Sequence, residues 1–196
     1  ESDEEAIRKA ADLKKGSKGA KNFIAVYGEN GSGKSNFVSS IDLLRRSIDS
    51  FEEFVNKQKI AELAQERDWI KGLVETILGS NNILNLINSC RMAECDKETT
   101  LEYGFQTGGY EGYYVISFTE RFTYEKLYYF TGKQKGVLFE IKSDHGEISA
   151  VFSGKLFKNK RTESEIEEEI EKYWGKHTFL SILNRERHEK NEQYIK

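Results

Sequence analysis

Proline is absent from the 196 residues, where average usage would give about ten. Glycine therefore carries the breaks in the chain. Only two cysteines occur, Cys90 and Cys95, too few for a scaffold built on disulfides. Their C-x4-C spacing, with no second pair and no histidine nearby, argues against a zinc site. Free thiols in a reducing, cytoplasmic setting are the expectation. The three histidines, His145, His177 and His188, are scattered and read as surface or structural residues. Apolar runs stay far below the roughly 18 residues that a membrane span requires, which excludes a transmembrane helix. Residues 1–20 are polar, with only Ile7 and Leu13 as large aliphatics, and do not read as a signal peptide. The chain opens on Glu1 rather than Met, which reads as a processed or trimmed product.

Charge is plentiful. Charged residues make up 32% of the chain and hydrophobic ones 37%, against a charged average of roughly 25%. The length suits one domain with a sizeable core. A net charge of −3 argues against a protein that coats nucleic acid through overall basicity. Lys155, Lys158, Lys160 and Arg161 form one basic cluster, but residues 163–172 then turn acidic, so the cluster reads as a solvated turn.

Periodicity divides the chain. Residues 22–27, Asn-Phe-Ile-Ala-Val-Tyr, form a short apolar run ending at glycine, as a buried strand does. In the next segment Phe37, Ile41, Leu44 and Ile48 recur at i, i+4, i+7, i+11 and predict an amphipathic helix. Residues 51–98 continue in helical style, interrupted at Gly79-Ser80-Asn81-Asn82. From Thr99 the pattern switches to alternation, with Leu101, Tyr103 and Phe105 separated by polar residues. Residues 113–130 are dense in strand formers. Turns at 131–136 and 143–146 make 99–153 an antiparallel meander. Its aromatic stripe reads as sheet packing rather than a base-stacking platform. Helical periodicity resumes at Thr162, where Thr162-Glu163-Ser164-Glu165 matches a capping box, and residues 160–196 are expected to be helical.

One motif carries chemistry. Gly28-Glu29-Asn30-Gly31-Ser32-Gly33-Lys34-Ser35 is G-x-x-x-x-G-K-[ST], the P-loop or Walker A pattern, with an apolar run before it and an amphipathic segment after. Gly28, Gly31 and Gly33 let the backbone curl around a phosphate. Amide hydrogens of Asn30 and Ser32 would point inward with those of the glycines. A helix starting near Lys34 adds its positive end. Lys34 would reach the β- and γ-phosphates of ATP, and the Ser35 hydroxyl would ligate Mg²⁺. Phosphoryl transfer also needs a metal-holding acid at the end of an apolar strand. Val137-Leu138-Phe139-Glu140 is the nearest match, but it alternates with polar residues and Glu140 reads as an ordinary strand residue. Asp42 and Asp49 receive no metal role.

The longer string Tyr27-Gly28-Glu29-Asn30-Gly31-Ser32-Gly33-Lys34-Ser35-Asn36 resembles the ABC-like branch of P-loop ATPases, in particular the prokaryotic AAA family ATPases related to OLD nucleases and phage-defence proteins. Leu101-Glu102-Tyr103-Gly104-Phe105, Glu125-Lys126-Leu127-Tyr128-Tyr129 and Leu138-Phe139-Glu140 are similar to that group's antiparallel sheet. Thr178-Phe179-Leu180-Ser181 is similar to the helix after it. The resemblance implies an α/β (α+β) fold: a partial P-loop NTPase core at 20–50, a helical segment and an antiparallel β-meander subdomain. It implies an ATP-binding N-terminal portion, with Mg-ATP on Gly28 to Asn36, of an ATPase acting in DNA processing or phage defence. It further implies a homodimer or association with the remainder of that ATPase, with DNA or a nuclease as further partners and no membrane. The family's first strand, signature motif, Walker B strand and switch histidine have no counterpart here; its Q-loop glutamine is unassigned, Gln106 being a candidate only through its position at a strand end. Two alternatives stand beside it: a small P-loop kinase, and a non-hydrolysing module whose shape depends on bound nucleotide.

Overall fold

The computed structural model describes residues 33–64, 83–91, 97–107, 110–131, 134–154, 156–157 and 160–189. The expected strand at 22–27, residues 28–32 of the motif, the apolar residues 69–78 and Cys95 lie outside the described residues. The chain divides into two compact units, Glu1–Lys34 and Ser35–Lys196, and the architecture below is that of the second.

A long helix, α1 (Lys34–Ala64), is followed by a short one, α2 (Ile83–Cys90). Five strands come next: β1 (Thr99–Thr107), β2 (Tyr110–Phe118), β3 (Phe122–Thr131), β4 (Gln134–Asp144) and β5 (Glu147–Phe152). Two helices close the described chain, α3 (Lys160–Tyr173) and α4 (Phe179–Glu189). The strands lie side by side in chain order, and every pair is antiparallel. The connections dictate this. Asp144 pairs with Glu147, so only His145 and Gly146 join β4 to β5. Both have positive φ, 48° and 91°, the conformation of a two-residue hairpin whose twist matches its strands. A parallel pair would need a crossover of a dozen or more residues.

This overturns the expected fold class and family. A P-loop NTPase core rests on a parallel sheet with crossover helices, whereas the described sheet is an antiparallel meander and the fold is α+β. The chain is therefore not assigned to the ABC-like ATPases. The expected capping box also moves inside a helix, because α3 starts at Lys160, ahead of Thr162.

The pleat sorts the strand residues. Tyr114, Ile116 and Phe118 of β2 point inward with Phe122 of β3 and with Phe139 and Ile141 of β4, all buried. Helices cover this face through Leu43, Ile83, Ile87, Ile166, Ile170, Phe179 and Leu183, and the α3–α4 turn through Trp174. On the outer face Tyr113 stacks on Tyr128 at 5.3 Å, with Phe130 edge-on to both. The Tyr113 hydroxyl donates to Glu111 and that of Tyr128 to Glu102. Glu140 belongs to this face too, accepting from the Tyr124 hydroxyl and pairing with Lys126, each at 2.8 Å. Those contacts hold its carboxyl below the usual range, the Lys126 hydrogen bond foremost. No group of three or more His, Cys, Asp or Glu suited to a metal occurs among the described residues.

The buried face of α1 is not the expected one. Phe37 and Ile41 are about half exposed, at 48% and 52%, while Leu43, Ser47, Ser50 and Phe51 are buried. Ser50 finds a polar partner on α4, Ser181 at 3.2 Å, while the Ser47 hydroxyl donates to the Leu44 carbonyl of its own helix at 2.8 Å. No described helix is long and apolar enough to cross a membrane.

Candidate functional site

The start of α1 holds the described part of the motif. Gly33 has φ 84°, a left-handed backbone that L side chains rarely adopt, and helical hydrogen bonding begins at Lys34. A Cβ built on Gly33 would meet nothing within 4 Å, so backbone conformation rather than space requires glycine. Gly33→Ala should therefore cost about 1 kcal/mol or more in urea unfolding; an unchanged midpoint would show that this φ is not held in solution. The first turn carries no acidic residue to neutralise the helix's positive end. Ser35 and Asn36 are exposed. Gly28, Asn30, Gly31 and Ser32 lie outside the described residues.

Two polar assemblies escape sequence reasoning. The first centres on Glu125 of β3, which is fully buried. One carboxylate oxygen accepts from the Tyr114 hydroxyl at 2.8 Å and the Leu180 amide at 3.0 Å. The other accepts from the Trp174 indole at 2.9 Å and the Phe179 amide at 2.6 Å. Phe179 and Leu180 open α4, whose first amides have no partner within the helix. Thr178 serves the next one, its hydroxyl accepting from the Ser181 amide at 3.2 Å and donating to the Ser47 carbonyl at 2.7 Å. Burial pushes the Glu125 carboxyl up against the downward pull of its hydrogen bonds. Such a saturated, enclosed group offers no free lone pair to a substrate and acts as a cap. The sequence did hold a signal: Glu125 shares the parity of inward-facing Leu127.

The second assembly is a cleft of about 280 Å³ between α1, α2 and the α3–α4 turn. Arg46, Ser50, Phe54 and Lys57 line it from one stripe of α1, and Lys176 and His177 from the turn. The turn is set by Gly175 at φ 93° and by the His177 amide bonding the Tyr173 carbonyl at 3.1 Å. His177 is buried with its Nδ1 3.2 Å from the Ser50 hydroxyl. Its ring tilts against Phe54 at 5.0 Å. Desolvation, with Lys176 beside it, lowers its pKa to about 4, so the ring is neutral at physiological pH.

No protein family, curated protein or solved structure matches this chain. Together with the antiparallel sheet, this corrects the expected function. The chain is not the ATP-binding portion of an ABC-like AAA family ATPase, and the expected P-loop ATPase and hydrolase activity falls with it. Three other polar residues settle modestly. Gln106 sits exposed on β1 opposite Glu111. Asp42 pairs with Arg46 one helical turn on, at 3.1 Å. Cys90 is a free thiol, contacting the Ser39 carbonyl at 3.7 Å.

Proposed function

We propose that the chain is a ligand-binding module for the phosphates of a nucleotide, taken with Mg²⁺, at the start of α1. ATP is the reference ligand. The observation that carries this reading is the left-handed Gly33 followed immediately by a helix that begins at Lys34 with no acid in its first turn. The positive end of a helix attracts an anion. Lys34 would contact the phosphates, Ser35 the Mg²⁺, and Gly28, Asn30, Gly31, Ser32 and Asn36 would supply the rest of the cradle. The reading concerns binding alone and assigns no catalytic residue. The free thiol of Cys90 favours cytoplasmic residence in this reading.

Calorimetry with Mg-ATP tests it. Lys34→Ala should weaken binding about 10- to 100-fold, the worth of a hydrogen bond to a charged group. Ser35→Ala should reduce the gain that Mg²⁺ gives. Equal affinity of wild type and Lys34→Ala, or no binding by the wild type, would overturn the proposal.

A further inference from the structure

The outer face of the sheet carries an aromatic group that the nucleotide reading does not use. Cross-strand pairing builds it: Tyr113 of β2 lies opposite Tyr128 of β3, and Phe130 of β3 lies opposite Lys135 of β4. The tyrosine rings stack at 5.3 Å with 16° between their planes, and Phe130 stands at 89° and 79° to them. The Lys135 ammonium sits 4.0 Å over the Tyr128 ring. Two rings 5.3 Å apart leave no room for an ammonium between them, and β2 and β4 flank β3 on opposite sides. Tyr128 therefore has Tyr113 on one face and a cation on the other, drawn there by the negative face of the ring. Carboxylates frame the group. Glu111 accepts from the Tyr113 hydroxyl at 2.6 Å and Glu102 from the Tyr128 hydroxyl at 3.0 Å, both in the open. Neither forms a salt bridge among the described residues. Their charges help push the Tyr113 hydroxyl up to about 12, the Glu111 hydrogen bond foremost. The other cations of this face, Lys126 and Lys142, act on Glu140.

We propose that this face docks a basic segment of a partner polypeptide, an arginine side chain taking the place of Lys135 over Tyr128. Lys135 acts as the stand-in: it shows, within the chain, that the ring face receives a cation. A guanidinium is planar and stacks on such a face better than an ammonium does, and Glu102 and Glu111 at the hydroxyl ends favour its charge. The surface is the face of a sheet and not a concavity, so it suits an extended chain rather than an isolated small molecule. Exposed Val137, opposite Tyr128, and Val151 continue it as apolar surface. The net charge of −3 favours encounter with a basic partner.

The test is amide NMR titration of the full chain with the end-blocked peptide Gly-Arg-Gly-Arg-Gly, its citrulline counterpart and free arginine. Alternate residues of an extended peptide share a face, so both arginines can meet the sheet. The arginine peptide should bind saturably and shift Gly104, Tyr113, Tyr128 and Phe130. Citrulline keeps the shape without the charge and should bind at least about fivefold more weakly. Lys135→Ala should tighten binding about two- to fivefold, because the incoming cation no longer displaces an exposed cation–π contact. Lys142→Ala removes the same charge away from the rings and should change affinity little. Glu102→Gln combined with Glu111→Gln should weaken binding at least about twofold. Lys34→Ala should leave it unchanged, which separates it from the nucleotide proposal. The inference is overturned if the arginine peptide does not saturate, if citrulline or free arginine binds as tightly, or if the shifts fall elsewhere. It is equally overturned if Lys135→Ala fails to tighten binding or does so no more than Lys142→Ala, or if the paired glutamine changes are silent.

Discussion

Glu125→Ala should destabilise the protein by about 3–5 kcal/mol, the range for removing one partner of a buried charged assembly. The side chain is fully buried and meets donors from β2, the end of α3 and the start of α4. Two of those donors are main-chain amides, which no compensating mutation can remove. Replacing a buried ion pair with apolar groups is often neutral, because both partners change. Here the Phe179 and Leu180 amides would stay and be left without acceptors. Glu125→Gln keeps the volume but sets an NH₂ group against donors, so it should also destabilise, by about 2 kcal/mol. Tyr114→Phe removes one hydroxyl and should cost about 1 kcal/mol. Urea unfolding of the three variants checks the order. A loss below about 1 kcal/mol in Glu125→Ala would mean that water or a rearranged α4 replaces the carboxylate.

The second large effect is a pH dependence. The ordinary histidine pKa is 6.5, and burial lowers that of His177 to about 4. Between those values the unfolded chain binds this proton and the folded chain does not, so stability falls as pH falls through that window. Above about pH 6.5 the contribution is fully present and flat. The total is about 3 kcal/mol, of which about 2 is gone by pH 5. Carboxylates titrate over part of the same range, so the readout is a difference between proteins. His177→Phe should show a shallower decline than wild type from pH 7 to pH 4.5 in urea midpoints. Parallel profiles would show that His177 takes up its proton without leaving its contacts with Ser50 and Phe54.

The meander was legible because it obeys one local rule. Leu101, Tyr103 and Phe105 alternate with polar neighbours, and Asp144-His145-Gly146 announces a turn with little room for anything but antiparallel pairing. The expected parallel core came instead from the short string at 28–36, whose pattern says much about phosphate and little about the sheet around it. α1 was misread by rotation. Phe37, Ile41, Leu44 and Ile48 form its conspicuous apolar stripe, yet Ser47 and Ser50 are buried, and hydrogen bonding to a distant helix leaves no mark in hydropathy. The cleft was invisible for the related reason that Arg46, Lys57 and Lys176 each look like surface cations until the α3–α4 turn brings them to one place.

The serines of α1 also determine what kind of joint this helix makes. Apolar side chains tolerate sliding, since one contact exchanges for another at little cost. The contacts Thr178 to the Ser47 carbonyl and Ser50 to Ser181, at 2.7 and 3.2 Å, pair fixed donors and acceptors in a buried seam, so a small shift of the helix along its axis breaks them before new ones form. α1 is thus keyed to the head of α4 along its own axis, as a bolt is by its notch.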